Sequence, residues 1–460
     1  MHKKGQVINM KLDVRKMISD PFWFAMYMLL IAYLGAPAFL KIHLGIFRKA
    51  GLVWGAVLLA IFLIKNYRAY LENKFALVLF LFCVANGITI LVNWRTKLSS
   101  NIFTFGYMTT SLLLVFNMYW QKEEEEVEKK IKIFSWMNVI MPLIYASIAL
   151  ITFLLSVQVC YELPNGYQYL GMFENRLWGL FNPNTGGMMA VISMAFSLYL
   201  INKSVQKKKL LIANIVIQYL YLILTQSRSA YGAFVFFILI VIGFVWVKRE
   251  NLFTKDRKTC IKSLLKSVVI FACVLALSPI VKHTIVLIPD AVSSLKGQEE
   301  KTEIVRTEEF FEEEDANSVS NGRVEIWKAG LKVWKNSPVF GAGANCIYEY
   351  AKRDLDKGTA QALHNGGLHN VYVTTLVASG VVGLGILSVF LIMVFIRFVR
   401  ALFTKTDTST FILMGLCGGI LLSDFMESRI LYANSSVHYI FWMTMAYLCC
   451  KINDIKKKQA

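Results

Sequence analysis

The sequence predicts an all-α, polytopic membrane protein, and three observations support that prediction. Apolar residues make up 56% of the 460-residue chain and charged residues only 17%, whereas soluble domains average about 25% charged residues. Long apolar runs recur along the whole chain, and about 20 such residues in a helix cross the hydrocarbon core of a bilayer. Lysine and arginine residues cluster beside these runs. Residues 1–460 are therefore predicted to form a single membrane domain of about twelve transmembrane helices.

Twelve apolar segments are the candidate transmembrane helices. In chain order they span residues 22–40, 51–64, 75–94, 102–120, 133–157, 185–201, 210–226, 230–247, 267–288, 371–398, 411–426 and 437–450. An even number of spans places both termini on the same side of the membrane. Short basic segments lie on that side, at residues 1–20, 203–209, 248–266 and 451–458. Because lysine and arginine concentrate in cytoplasmic loops, both termini are predicted to be cytoplasmic.

The formal net charge of +19 raises the alternative of a nucleic-acid-binding protein. The lysines, however, lie beside the apolar segments, where such residues set topology and contact anionic lipid headgroups. The sequence therefore predicts membrane lipids as partners and no nucleic acid. The eight cysteines show no metal-ligand spacing. Neither a metal site nor a cofactor is predicted.

Residues 289–370 are predicted to form a large extracytoplasmic loop between the ninth and tenth spans. Its first half, at 296–320, is acidic and poor in large aliphatic residues, which is typical of disordered segments. In its second half, Asn321 can cap a helix that continues to residue 336, before Pro338. An apolar stripe on this helix comprises Ile326, Trp327, Gly330, Leu331 and Trp334. The helix is predicted to lie along the membrane surface or against the bundle.

Arg323 lies at the centre of that apolar stripe, whereas Lys328, Lys332 and Lys335 lie on the opposite face. One interpretation is an arginine near a helix end whose charged group reaches water. The alternative is an anion-binding residue, because the planar guanidinium group binds phosphate through two parallel hydrogen bonds. The inward direction of the side chain favours the anion site.

Three further polar features lie in the predicted outer loops. Arg228 stands between Ser227 and Ser229 in a very short outer turn. Arg228 is interpreted either as an interfacial anchor or as a second anion-binding residue. The motif Asn182-Pro183-Asn184-Thr185-Gly186-Gly187 opens the sixth span. Asn184 or Thr185 is the predicted N-cap there, and the glycines leave room for a backbone or a ligand near the helix N-terminus. Arg176, upstream in the aromatic stretch 173–181, is a weaker anion-binding candidate.

Two His-Asn pairs precede the tenth span, at His364-Asn365 and His369-Asn370. A histidine at this place could accept a proton from a sugar hydroxyl near neutral pH. Gly380, Gly383 and Gly385 follow and give one face of the next helix small residues for close packing. His364 is interpreted as a loop histidine with satisfied hydrogen bonds, and it remains a secondary candidate.

These features together resemble the O-antigen ligase and polymerase family of bacterial surface-polysaccharide synthesis. The most specific motif is His369-Asn370, which is followed after nine residues by Gly380 and after two more by Gly383. The same count from His364-Asn365 places Thr375 at the position of the first glycine, so the spacing selects His369. The motifs fall within residues 173–385. The other elements are Asn182-Pro183-Asn184, Ser227-Arg228-Ser229, Gly322-Arg323 with Trp327, and the segment from Pro338 to Gly343. The acidic insert and the second His-Asn pair have no counterpart in the family pattern.

The resemblance implies a metal-independent membrane glycosyltransferase of the C type, in the bacterial cytoplasmic membrane with its active site on the outer face. The donor would be a glycan on undecaprenyl diphosphate, and the acceptor a glycan or a lipid; other polysaccharide-assembly proteins are further expected partners. Arg228 and Arg323 would hold the diphosphate leaving group, and His369 would take the acceptor proton. Substrate-binding roles are expected for Asn182, Asn184, Arg176, Asn370 and Trp327.

Several alternatives remain open on the sequence alone. Asp424 and Glu427, near the outer end of the eleventh span, are alternative bases. The resemblance fits a polymerase that joins glycan units, which is preferred as the more widespread role. It also fits a ligase that transfers a finished glycan to a lipid, cell-wall or protein acceptor. A transporter or flippase is disfavoured, because the candidate ionisable residues lie at one membrane face rather than at the midplane and no repeat relates the two halves.

Overall fold

The protein is described by a computed structural model for residues 14–37, 44–163, 166–173, 175–203, 206–249, 257–295, 322–403 and 406–457. The helices of the first third of the chain are α1 (Val14–Ile18), α2 (Pro21–Leu34), α3 (Gly45–Lys65), α4 (Arg68–Glu72), α5 (Lys74–Val92), α6 (Leu98–Thr109) and α7 (Glu124–Leu154). A π-helical turn, Thr110–Val115, continues α6. The helices of the rest of the chain are α8 (Pro183–Asn202), α9 (Lys208–Thr225), α10 (Arg228–Arg249), α11 (Arg257–Leu295), α12 (Arg323–Trp334), α13 (Ile347–Asp354), α14 (Lys357–Gly366), α15 (Val371–Leu402), α16 (Thr408–Ser423) and α17 (Ser436–Lys457).

Each predicted apolar segment coincides with a helix. Within the described part of the chain, eight helices are long and apolar enough to cross a membrane: Gly45–Lys65, Lys74–Val92, Leu98–Val115, Glu124–Leu154, Pro183–Asn202, Lys208–Thr225, Leu265–Ile285 and Val371–Leu402. Three shorter apolar helices are Pro21–Leu34, Arg228–Phe244 and Thr408–Ser423. The prediction of a mostly helical, polytopic membrane protein is therefore confirmed. The number of twelve spans stays a prediction.

The mostly helical chain also contains one small antiparallel sheet. Its strands are β1 (Val159–Leu163), β2 (Gly166–Phe173) and β3 (Arg176–Trp178), in the order β1-β2-β3. Tyr167 and Tyr169 alternate with smaller residues, and Asn165-Gly166 is a hairpin signal in sequence, which the hydropathy argument did not use. Asn175 adopts a positive φ of 57° between β2 and β3. The turn there brings Arg176 back to the helices.

The interior of the bundle is built around α8, which packs against α7, α9, α10 and α16. Nearly all of α8 is buried, including Met188, Ile192 and Phe196. Gly186 and Gly187 permit this packing, because a Cβ at either position would collide with Tyr221 or Thr225. The glycines after Asn184 therefore admit protein side chains close to the helix. At the periphery, α11 is mostly exposed, as suits a helix that faces lipid.

Helix α15 is broken at Gly380, where φ is 69° and ψ is −170°. The segment from Pro338 to Gly343 docks at this break through four backbone hydrogen bonds. Val381 and Val382 donate to Pro338 and Val339, and Ala342 and Gly343 donate to Val377 and Ala378.

Glycine is required on both sides of this contact. A Cβ on Gly380 would overlap the Val339 carbonyl, and one on Gly341, whose φ is 73°, would overlap the backbone of Ala378. The glycines at 380 and 341 thus allow two backbones to meet. A Cβ on Gly385 would lie in open space, with none of the described atoms within 4 Å, so the prediction of close packing is wrong at that position.

The loop helix α12 differs in detail from its prediction. It runs from Arg323 to Trp334, shorter than expected at its C-terminal end, and begins after Gly322, whose φ is 70°. Ala329, Gly330 and Val333 form its buried face, whereas Leu331 is 39% exposed. The buried face is therefore rotated slightly away from the predicted stripe. The predicted cap Asn321 and the acidic residues 296–320 lie outside the described residues.

The helix before the loop also differs from its prediction. Helix α11 continues through Pro289 to Leu295, beyond the predicted end of the ninth span at residue 288. The helix therefore takes up the first residues of the segment predicted as the outer loop.

At the end of the bundle opposite the loops, ion pairs connect four helices. Lys451 of α17 contacts Glu124 and Glu128 of α7 at 2.7 and 2.9 Å, and Lys203 after α8 contacts Glu128 and Asp407 at 3.3 and 3.2 Å. The acidic run at residues 123–126 thus contributes Glu124 to the contacts that join these helices. These contacts hold the far ends of the helices whose other ends carry the candidate site.

Candidate functional site

Four segments that are distant in sequence meet at one end of the bundle. They are the N-terminus of α8, the N-terminus of α12, the turn before α15 and the loop after α16. Glu427, in the last of these, lies at their meeting point and is only 11% exposed at its side chain. This residue, considered from sequence only as an alternative base, is the centre of the arrangement.

Both oxygens of the Glu427 carboxylate have partners. Oε1 accepts a hydrogen bond from Asn184 Nδ2 at 2.9 Å and lies 3.3 Å from Arg323 Nη2 and 3.6 Å from Arg429 Nη2. Oε2 faces His369 Nδ1 at 3.5 Å. The carboxylate thus contacts two guanidinium groups and the imidazole that was predicted as the base.

Charge keeps Glu427 ionised despite its burial. Burial raises the pKa of the carboxyl group, but the Arg429 guanidinium, the hydrogen bond and charge of His369, and Arg323 all lower it. The lowering influences prevail, so the pKa of Glu427 lies below its ordinary value. Glu427 is therefore a fixed negative charge near neutral pH, and a weak candidate for a base that must accept a proton.

Arg323 is the first residue of α12, and two contacts fix the helix at the site. Trp327 Nε1 donates to the Leu368 carbonyl at 2.9 Å. The side chain of Leu368 packs so closely on Gly330 that a Cβ there would collide with it. Arg323 consequently points towards Glu427, as its place in the helical stripe predicted, while Lys328 on the other face is exposed.

His369 precedes α15 in a left-handed conformation, with φ at 45°. For a residue other than glycine this costs roughly 1–3 kcal/mol, and such residues cluster at functional sites. Its side chain is 31% exposed. Asn370 Oδ1 accepts hydrogen bonds from Tyr372 N and Val373 N, so Asn370 is the N-cap of α15. The structure thus gives Asn370 a capping role; substrate contact by Asn370 or Trp327 stays a prediction.

The N-cap of α8 is Asn182, whose Oδ1 accepts from Thr185 N at 2.9 Å. The predicted cap, Asn184 or Thr185, is therefore wrong by two or three residues, because Pro183 already occupies the first helical position. Asn184 instead connects two charged groups. Its Oδ1 accepts from Arg176 Nη2 at 2.5 Å, while its Nδ2 donates to Glu427.

Arg176 extends the basic side of the site towards the turn between α9 and α10. Its Nε donates to the Thr225 carbonyl at 3.0 Å. Arg228 follows three residues later, is exposed, and is the first residue of α10. Structure therefore joins Arg176, Asn184, Arg323 and His369 around Glu427, with Arg228 next to the turn that holds Arg176.

Asp424 and Arg429 shape the loop that carries Glu427. Asp424 is completely buried, and its Oδ2 accepts from Arg429 N at 3.1 Å and Ile430 N at 3.0 Å. Arg429, 6% exposed, donates to Ser423 Oγ at 2.9 Å and to the Asn184 carbonyl at 3.2 Å. Asp424 thus supports the loop and offers no exposed carboxylate to a substrate.

Arg429 is the member of this cluster that sequence analysis did not select. The same signal that selected Arg228, a single arginine in a short outer loop, could have identified it. The carboxylate of Glu427, two residues earlier, is a second charged group in the same short loop and strengthens that indication.

A cavity of about 550 Å³ opens beside His369 and Glu427, within the size range of small-molecule sites. The ring of His364 stacks on Tyr348, with centroids 4.1 Å apart. Lys97 and Glu349, also in the wall, form an ion pair at 3.3 Å. Other lining residues include Ser100, Asn345, Thr374, Ser428 and Tyr432. The wall also contains apolar side chains such as Ile347, Leu363 and Leu431, so polar groups that could bind a hydroxylated ligand lie beside an apolar surface.

Among the residues that the structure describes, no group of three or more His, Cys, Asp and Glu side chains could hold a metal ion. The positive charge at this site comes from arginines. Cys160 and Cys346, the two cysteines in polar loops, are both free thiols.

A family model described as O-antigen ligase matches residues 213–388. No curated protein matches the chain. The matched region contains Arg228, Arg323 and His369, together with the helix break at Gly380; it does not reach Asn184 or Glu427. The resemblance predicted from the motifs is thereby confirmed over residues 213–388, which are similar to the O-antigen ligase family.

Proposed function

We propose that this protein is a polysaccharide polymerase that joins glycan units from undecaprenyl-diphosphate donors at the outer face of the bacterial cytoplasmic membrane. The observation that supports this most strongly is the arrangement around Glu427. Two arginines and a histidine lie within 3.6 Å of one ionised carboxylate. Such a site combines anion binding with a candidate proton acceptor, the two requirements of glycosyl transfer from a diphosphate.

In the proposed reaction, His369 takes the proton of the acceptor hydroxyl. Its Nδ1 faces Glu427 Oε2, which leaves Nε2 for that proton. The acceptor oxygen bonds to the anomeric carbon of the donor sugar while the bond from that carbon to the phosphate oxygen breaks. Undecaprenyl diphosphate leaves, and Arg323, with Arg228, stabilises the negative charge that develops on it. Glu427 stabilises the imidazolium that forms.

The cavity beside His369 is the proposed acceptor site. It shares His369 and Glu427 with the arginine cluster, so an acceptor hydroxyl in it would lie on the histidine side. Arg176 and Arg228 lie near the turn between α9 and α10, and the donor diphosphate is assigned to that basic side. The acceptor and donor would then approach His369 from different directions.

A ligase is the second candidate, favoured by the description of the matching family model as O-antigen ligase. It would transfer one finished glycan to a lipid, cell-wall or protein acceptor by the same chemistry. The two functions differ in product, since a polymerase uses a second lipid-linked glycan as acceptor and repeats the reaction.

The test is incubation of the purified protein in liposomes with an undecaprenyl-diphosphate-linked repeat unit, with and without EDTA. A ladder of longer lipid-linked glycans, with release of undecaprenyl diphosphate, is expected, and it should persist in EDTA. A single transfer to an added lipid acceptor would indicate the ligase. No consumption of the donor under either condition would contradict both candidates, and loss of activity in EDTA alone would contradict metal independence.

A further inference from the structure

We infer that Glu427 is a resident anion that neutralises Arg323 in the absence of the donor and releases Arg323 when the diphosphate binds. The inference deepens the proposed function and rests on it for the identity of the donor. It assigns two roles that sequence analysis did not: Glu427 as the positioning residue of His369, and Arg429 as a second fixed cation of the anion site.

The first support is the environment of Glu427 Oε1. Three donors converge on this single oxygen, from Arg323, Arg429 and Asn184, at 3.3, 3.6 and 2.9 Å. Carboxylate and phosphate oxygens are both preferred acceptors of guanidinium groups. A phosphoryl oxygen is therefore a suitable acceptor for a guanidinium group that now contacts Oε1.

The second support is that the contacts between the arginines and the Glu427 carboxylate are long. Charge-assisted hydrogen bonds between arginine and carboxylate are typically about 2.7–2.9 Å long and often paired. Here each guanidinium approaches a single oxygen, and both approaches are longer than that. A diphosphate carries more charge and more acceptor oxygens than one carboxylate, so it should compete for the arginines successfully.

The two arginines differ in freedom, which decides which of them moves. Arg429 is 6% exposed and is held by Ser423 Oγ and the Asn184 carbonyl. Arg323 is the first residue of a loop helix and its side chain is 20% exposed. Arg323 is accordingly the cation that transfers from Glu427 to the donor, while Arg429 remains.

The release of Arg323 affects His369 through the other carboxylate oxygen, Glu427 Oε2. Oε2 lies 3.5 Å from His369 Nδ1. When Arg323 turns to the diphosphate, the negative charge of Glu427 is less neutralised and interacts more strongly with the Nδ1–H group. This interaction favours the imidazolium that forms when Nε2 takes the acceptor proton. Donor binding and activation of the base are thus coupled through one side chain.

The experiment compares Glu427→Gln with wild type in two measurements. Inorganic pyrophosphate binding to the purified protein is measured by isothermal titration calorimetry, and kcat and donor KM are measured with the lipid-linked repeat unit. Removing the competing charge should tighten pyrophosphate binding by roughly tenfold, the scale of one charge-assisted hydrogen bond. It should lower donor KM and also lower kcat by at least roughly tenfold. Glu325→Gln, an exposed carboxylate on α12, is the charge-matched control and should change neither measurement.

A merely structural role for Glu427 gives the opposite result, since loss of a structural contact weakens anion binding and raises KM. Pyrophosphate binding by Glu427→Gln that is equal to or weaker than that of wild type would overturn the inference, even if wild type is an active glycosyltransferase. Inactive wild type with tighter pyrophosphate binding in the variant would instead refute the proposed function and retain the anion site. If Glu427→Gln does not fold, Glu427→Asp, one methylene shorter, should show a smaller tightening; weaker binding contradicts the inference.

Discussion

Replacing Arg323 by lysine tests the geometry of the anion site. Lysine keeps the positive charge but presents a point ammonium in place of the planar fork that holds two oxygens at once. In the structure, Arg323 Nη2 already reaches Glu427 Oε1 at 3.3 Å from the first turn of α12. A hydrogen bond to a charged group contributes about 1.5–3 kcal/mol, and about 1.4 kcal/mol corresponds to a factor of ten. We therefore expect Arg323→Lys to lower kcat/KM by roughly 10- to 100-fold.

The assay is donor turnover by purified variants, after quantification of each protein in the membrane fraction. Membrane insertion should be unaffected, because Arg323 lies in the loop helix and outside the apolar helices. Lys328→Ala is the control, since Lys328 is exposed on the opposite face of the same helix. Equal losses in the two variants, or full activity of Arg323→Lys, would refute the argument from the helix face.

Three other predictions concern the break in α15, the topology and the cavity. Gly380→Ala should lower the melting temperature markedly, because alanine at positive φ costs about 1–2 kcal/mol and its Cβ would overlap a backbone carbonyl; Gly385→Ala, in open space, should not. A reporter fused after Ser318 should be extracytoplasmic and one after Lys258 cytoplasmic, and the reverse pattern would contradict the placement of the site. His364→Ala should raise the acceptor KM several-fold, about the loss of one contact, with donor KM unchanged, and an unchanged acceptor KM would exclude His364 from the acceptor site.

The helices could be predicted from sequence because hydropathy is a local property. Each apolar run contains enough information to predict a helix, and the face of α12 that carries Arg323 follows from its own periodicity. For the break in α15, the sequence showed only the spacing between His369-Asn370 and Gly380. That Gly380 permits the segment from Pro338 to Gly343 to hydrogen-bond to the α15 backbone depends on two segments meeting, which no local pattern specifies.

The centre of the site was missed for the same reason. Asn184, Arg323, His369 and Glu427 have no fixed spacing in sequence, and only the packing of α8, α12, α15 and α16 brings them together. The candidates nevertheless shared one property that was visible in advance, their placement in predicted outer loops. Glu427 ranked low because a lone carboxylate at a helix end gives no sign of its partners.

Turnover of an undecaprenyl-diphosphate-linked repeat unit by His369→Ala in liposomes is the most direct test of His369 as the base. General-base catalysis typically contributes about 10²–10⁴-fold, so turnover should fall by that factor. Pyrophosphate binding should persist, since Arg323 and Arg429 are untouched, and lipid-linked donor should accumulate in cells that express the variant. Full activity of His369→Ala would contradict the proposed mechanism, because the proton of the acceptor would then have to go to a group other than the histidine that faces Glu427.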